Sequence, residues 1–144
     1  MEKALFNKLR NYILEFYESN PFVKMMDMQT VYIKEGDVCL KLEVKDEHTN
    51  FYHNAHGGVL MSMADTSMGA ACLSCNKKVV TMACNMNFIK AIPSDSIMFA
   101  TGRVIHNGSR TMVCNTMISD ETGKTIATAS ATFFVIGQLL EDDK

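Results

Sequence analysis

Residues Asn50 to Cys75 read NFYHNAHGGVLMSMADTSMGAACLSC, and this stretch decides how the rest of the chain must be arranged. It opens on a polar, histidine-bearing turn, passes through Gly57-Gly58, and then runs on without proline. After the glycines it is nearly all Val, Leu, Met, Ala and Cys, with Asp65 the single charge. Such a run predicts a long helix buried on most sides. An unpaired carboxylate in the middle of it would cost several kcal/mol. Asp65 is therefore either held by fixed hydrogen bonds or turned toward a cleft. Gly58, Ser62, Asp65, Thr66 and Gly69 share one small, polar stripe, while Val59, Leu60, Met63, Ala70, Cys72 and Leu73 cover most of the remaining surface. A membrane span is the competing reading. A mid-helix Asp costs about 2.5–3.5 kcal/mol on insertion, and no aromatic belt flanks the segment, so the helix is expected inside protein.

With 144 residues the chain is expected to be one domain with a sizeable core. A 47% hydrophobic and 21% charged composition with net charge −2 is ordinary for a globular protein and lacks the clustered Lys and Arg of a nucleic-acid surface. No leader or lipidation pattern is visible, which makes the cytoplasm the expected location. Cys39, Cys72, Cys84 and Cys114 sit in apolar runs within an odd total of five cysteines. That favours buried, reduced thiols over a disulfide framework.

Around the central helix the patterning is mostly that of strands. Glu2 to Ser19 carries Leu5, Leu9, Tyr12, Ile13, Phe16 and Tyr17 at helical spacing, and Ser19-Asn20-Pro21 ends it. Strand-like runs follow at Met25–Lys34 and Val38–Val44, joined by a Gly36 hairpin. A polar loop, Lys45 to Ala55, leads into the long helix, which stops at Asn76-Lys77-Lys78. The period then becomes two: Val80, Met82, Cys84, Met86 and Phe88 on one face, Thr81, Ala83, Asn85 and Asn87 on the other. Three more strands are expected near Ser96–Ile105, Thr111–Ser119 and Thr125–Ile136, and Glu141-Asp142-Asp143-Lys144 as a solvated tail. Helices and strands are segregated, so the class is α+β, with an antiparallel sheet curved around one apolar helix.

The pattern Asn50-x5-His56-Gly57-Gly58-x6-Asp65 resembles the hotdog-fold acyl-CoA thioesterases of the PaaI type. Asn20-Pro21-Phe22, the strand Thr81–Ile89, HNGSRT at His106–Thr111 and DETGK at Asp120–Lys124 extend the likeness over most of the chain. One departure is Ala91, two residues after Ile89, where the family usually has proline; here Pro93 comes two further on. The resemblance implies a homodimer joined sheet edge to sheet edge, with two dimers commonly forming a tetramer. It also implies shared sites, with Asn50, His56 and Gly57 from one subunit and Asp65 and Thr81 from the other. No cofactor is implied, since coenzyme A enters as part of the substrate.

Thioester hydrolysis needs an activated water or a carboxylate nucleophile, and donors for the developing oxyanion. Asp65 is the candidate base or nucleophile. Gly57 offers a helix-start N–H with no side chain in the way of a carbonyl. Asn50 would donate its amide, with Asn54 as rival and loop capping as the plainer role of either. Thr81 would help hold the water, and His56 is expected to fix the turn. Gly58 and Thr66, on the Asp65 stripe, are candidate substrate contacts. Lys90 and the turn Asn107-Gly108-Ser109-Arg110 are candidates for the phosphates of coenzyme A. His48, His53 and His56 lie close in sequence, but zinc needs three or four convergent ligands and no metal is expected. Cys72-x2-Cys75 is expected to be two packed thiols rather than a redox pair.

Overall fold

The structure, a computed structural model, describes residues 1–141, so the acidic tail beyond Glu141 lies outside the described residues. Helix α1 (Lys3–Ser19) buries Leu9 and Ile13 completely. The chain does not then become a strand at Met25. A short helix α2 (Pro21–Met26) intervenes, its first turn capped by Asn20, whose Oδ1 accepts from Val23 N–H at 3.1 Å. Proline ends one helix and opens the next, because its fixed φ and missing N–H suit a first helical turn. Asp27, at φ 56°, closes α2 in the left-handed region, and the first strand starts only at Gln29.

Six strands follow: β1 (Gln29–Lys34), β2 (Asp37–Glu43), β3 (Lys78–Phe88), β4 (Ile97–Asn107), β5 (Thr111–Ser119) and β6 (Thr125–Gly137). They form one antiparallel sheet in the order β1-β2-β4-β5-β6-β3. This puts β3, the strand that follows the central helix, at a free edge. The central helix α3 (Gly57–Leu73) packs against β2 to β6, and Asn76 at φ 60° turns the chain out of it.

Two contacts fix the height of α3 over the sheet. Ser67, fully buried, shares a hydrogen bond with the Thr116 hydroxyl at 2.7 Å. Beside it, β4 presents Gly102, where a Cβ would lie 2.4 Å from the Ser67 carbonyl carbon and oxygen. Only glycine permits so close an approach of sheet and helix backbone. The cysteines pack as reduced thiols: Cys39, Cys72 and Cys114 are buried, Cys75 and Cys84 half-buried. Cys72 pairs not with Cys75 but with Cys114, the two sulfurs 3.4 Å apart.

Candidate active site

The loop before α3 is organised by histidines. His48 is buried, and its Nδ1 accepts from Lys45 N–H at 3.0 Å while its carbonyl accepts from His56 N–H at 2.8 Å. His56 then caps the helix, its Nδ1 accepting from Gly58 N–H at 2.9 Å and its carbonyl from Val59 N–H at 2.9 Å and Leu60 N–H at 3.3 Å. These bonds leave Gly57 N–H without a partner among the described residues, at the positive end of the α3 dipole. Gly58, by contrast, has its N–H occupied by the His56 ring.

Asn50 and Asn54 are held differently. The Asn50 Oδ1 accepts from Tyr52 N–H at 2.9 Å and Asn54 N–H at 3.2 Å, which holds the loop and leaves the side-chain NH2 free to donate. Asn54 is engaged through its backbone, bridging to Pro93, with its carbonyl accepting from Asn50 N–H at 2.8 Å. Asn50 and Gly57 line one cavity of about 380 Å³ together with Phe88 and Lys90. Lys90 also faces Asp120 across 3.5 Å.

Asp65 lies elsewhere. It is half-buried rather than sunk in the core, because the stripe carrying Ser62, Thr66 and Gly69 is the one face of α3 left uncovered by the sheet. Its Oδ1 accepts from Thr81 Oγ1 at 2.7 Å. Simple alternation along β3 would place Thr81 with Asn85 and Asn87, away from the helix. A β-bulge between Thr81 and Ala83 changes the parity: Thr81 turns inward before it, and Cys84 and Met86 pack against the core after it. Asp65, Thr66 and Thr81 line a second cavity, of about 420 Å³, under α1. Its carboxylate is felt by its neighbours. Burial first, and then the Asp65 charge, pushes the Tyr17 phenol well above its ordinary range and raises the Cys84 thiol.

The Asn107–Arg110 turn joins β4 to β5 at the end of the sheet where β3 begins, since Thr111 and Val80 both pair with Phe134. Lys90, just beyond Phe88, is at the opposite end. Among the described residues no three His, Cys, Asp or Glu side chains converge as metal ligands. No described helix is long and apolar enough to cross a membrane.

The geometry is that of a carboxylate and a free backbone N–H mounted on one helix within a sheet. The sequence profile of the thioesterase superfamily matches residues 52–127, the part that carries both. The chain belongs to the thioesterase superfamily. It is 30% identical over 111 residues to the acyl-coenzyme A thioesterase PaaI of Escherichia coli K12, a span covering 77% of this chain and 79% of that one. The structure of E. coli PaaI, from the phenylacetic acid degradation operon, superposes with a TM-score of 0.88 at 28% identity, covering 93% of this chain and 97% of that one. A hypothetical thioesterase protein from Streptococcus pneumoniae TIGR4, solved with coenzyme A, matches with a TM-score of 0.75 at 30% identity, over 77% of this chain and 90% of that one. This thioesterase therefore has a PaaI-type hotdog fold, with α3 as the enclosed helix, and is a thioester hydrolase.

Proposed function

We propose that the thioesterase cleaves acyl-CoA thioesters, and does so at sites divided between two copies of the chain. The observation that carries this reading is the split between the two halves. Gly57 and Asp65 are eight residues apart on one helix, about 12 Å along its axis at 1.5 Å per residue. One protomer cannot bring both to one carbonyl. β3 supplies the means of joining two. It is an eleven-residue edge strand with Val80, Met82 and Phe88 exposed, and a long apolar edge of this kind is a template for another strand. Antiparallel pairing of two β3 edges reverses one against the other, so the Thr81 end meets the Phe88 end. The Phe88 ring lies 3.4 Å from where a Gly57 Cβ would be. Asp65 and Thr81 of one copy thereby approach Gly57 and Asn50 of the other.

In this arrangement the thioester carbonyl oxygen accepts from Gly57 N–H and the Asn50 amide. Asp65, acting as base, takes a proton as water adds to the carbonyl carbon, and Thr81 keeps the carboxylate aimed. Collapse of the tetrahedral adduct breaks the C–S bond and releases the CoA thiolate, a leaving group stable enough to need little acid help. A direct attack by the Asp65 carboxylate, through an anhydride that water then opens, uses the same placement. The reversal of β3 also carries the Asn107–Arg110 turn toward the other copy's Lys90. Those cations can then meet the CoA phosphates together, with Thr66 and Gly58 bordering the path. Two such dimers would make a tetramer. Five thiols with no disulfide among the described residues suit a reducing cytoplasm.

The test is a panel of acyl-CoA esters with a thiol-trapping reagent, run on the parent and on Asp65→Asn. The parent should release CoA, and the variant should lose roughly 10²- to 10⁴-fold in kcat while staying folded. Unaltered turnover in Asp65→Asn would remove Asp65 from the chemistry. No thiol release by the parent from any CoA ester would point to a different thioester carrier.

A further inference from the structure

The Asp65 half-site continues into a space that the hydrolytic step does not itself need. Gly69 lies one turn past Asp65 on the same stripe of α3, and a Cβ built on it would meet nothing within 4 Å. The roughly 420 Å³ cavity opens there, with Leu73, Val79 and Phe133 below and Tyr12 and Phe16 of α1 above. That roof is a fixed part of the protomer, because Leu9 and Ile13 anchor α1 in the core. Tyr17 also lines this space.

A thioester with its carbonyl at Asp65 must send its two ends in different directions. The phosphate-bearing end needs cations and water, and the acyl end needs apolar surface. Among the described residues, Lys78 is the one cation on the wall of this cavity, whose other contributors are mainly aliphatic and aromatic. Lys90 borders the other cavity instead. Resting on the acyl-CoA reading above, we propose that the space between Gly69 and α1 is the acyl chamber of this enzyme. Gly69 sets its depth, and Tyr12 and Phe16 set its height. Ligand pockets run from about 300 to 1,000 Å³. A chamber near the lower bound admits a compact acyl group and turns away a long chain.

The experiment compares kcat/KM for acetyl-, hexanoyl-, benzoyl- and dodecanoyl-CoA in the parent, Gly69→Ala, Gly69→Leu and Phe16→Ala, with size-exclusion elution of each. Replacing helical glycine favours the fold, and open space receives the new atoms. Gly69→Leu should lower the hexanoyl-to-acetyl ratio by at least about tenfold, and Gly69→Ala should lower it less, since one methylene can change discrimination about 10- to 200-fold. Phe16→Ala should raise the dodecanoyl-to-hexanoyl ratio. Elution should match the parent throughout. Unmoved ratios in active variants overturn the chamber while leaving the acyl-CoA function standing. An insoluble or dissociated Gly69→Leu, with all esters falling together, also overturns it, because the space would then belong to another backbone. A parent inert on all four esters overturns the proposed function, and the chamber with it.

Discussion

Gly102→Ala is the sharpest probe of how the fold holds the Asp65 carboxylate. The new Cβ would lie 2.4 Å from the carbonyl carbon and oxygen of Ser67 and 2.6 Å from Met68 N, all of them backbone atoms that cannot rotate away. An ordinary contact is at least about 3.4 Å, so helix and sheet must separate by about 1 Å at this crossing. Overpacking of this kind costs about 1–3 kcal/mol, and contact with rigid backbone places it at the upper end. Against this stands a gain of about 0.4–1 kcal/mol from the less flexible unfolded chain. Destabilisation wins by about 2 kcal/mol, which lowers Tm by about 4–8 °C for a chain of this size. Ser67 is two residues beyond Asp65, so the displacement reaches the site, where a 1 Å misplacement can cost about 10²-fold in rate. Thermal unfolding and kcat should be measured beside Gly69→Ala, whose Cβ meets nothing and whose Tm should hold or rise. A Gly102→Ala protein within about 2 °C of the parent, with parental kcat, would refute the claim that this crossing positions Asp65.

The other expectations are smaller in scope. Thr81→Val removes the hydroxyl 2.7 Å from Asp65; kcat should fall about tenfold, in line with the roughly 1.5–3 kcal/mol of a hydrogen bond to a charged group, discounted for exposure, with little change in Tm. Met82→Glu puts a charge on the exposed β3 edge, and analytical ultracentrifugation should show a smaller species with activity lost in proportion. Arg110→Ala should raise KM for CoA esters more than for short N-acetylcysteamine thioesters, and equal effects would deny it a phosphate role. Asp120 accepts from the Thr122 hydroxyl at 2.6 Å and from the Thr122 and Lys124 N–H groups, and its pKa is lowered to about 2. A depressed carboxylate contributes its loop contacts above the ordinary Asp value and loses them as pH falls through about 2. The Asp120 carboxyl carbon, followed by NMR, should titrate with that midpoint, and in Thr122→Val at higher pH.

The parts of the fold legible in the residues were those where one letter has one physical meaning. A lone carboxylate in an apolar run marked α3 and its open stripe, and Gly36, Asn107-Gly108 and Gly123 marked the hairpins. What escaped was written in letters with two meanings. Pro21 stops α1 and starts α2 by the same fixed φ, so composition cannot say which role dominates. The bulge in β3 adds no distinctive residue, yet it decides whether Thr81 looks at Asp65 or away from it. Gly102 reads as any strand glycine until α3 is seen crossing it. The roles of the loop histidines were not visible in their spacing either: His48 and His56 bond backbone, which orients the helix start.

The candidate site stands out for a further reason. Folding occupies several polar groups near α3: Ser67 with Thr116, Ser62 with the Gly58 carbonyl, Gly58 N–H with His56, Asn50 Oδ1 with its own loop. Among the described residues, three of the groups left with capacity are chemically complementary: the N–H of Gly57, the amide NH2 of Asn50 and the carboxylate of Asp65, which accepts only from Thr81. Gly57 and Asn50 lie at the start of α3 and in the loop before it, and Asp65 about two turns further along a helix whose uncovered side adjoins the β3 edge. Closing that edge with a second copy is the step that would give all three a common target. In the proposed dimer, the requirement to hide a bare strand and the requirement to assemble the three groups would come down to the same contact.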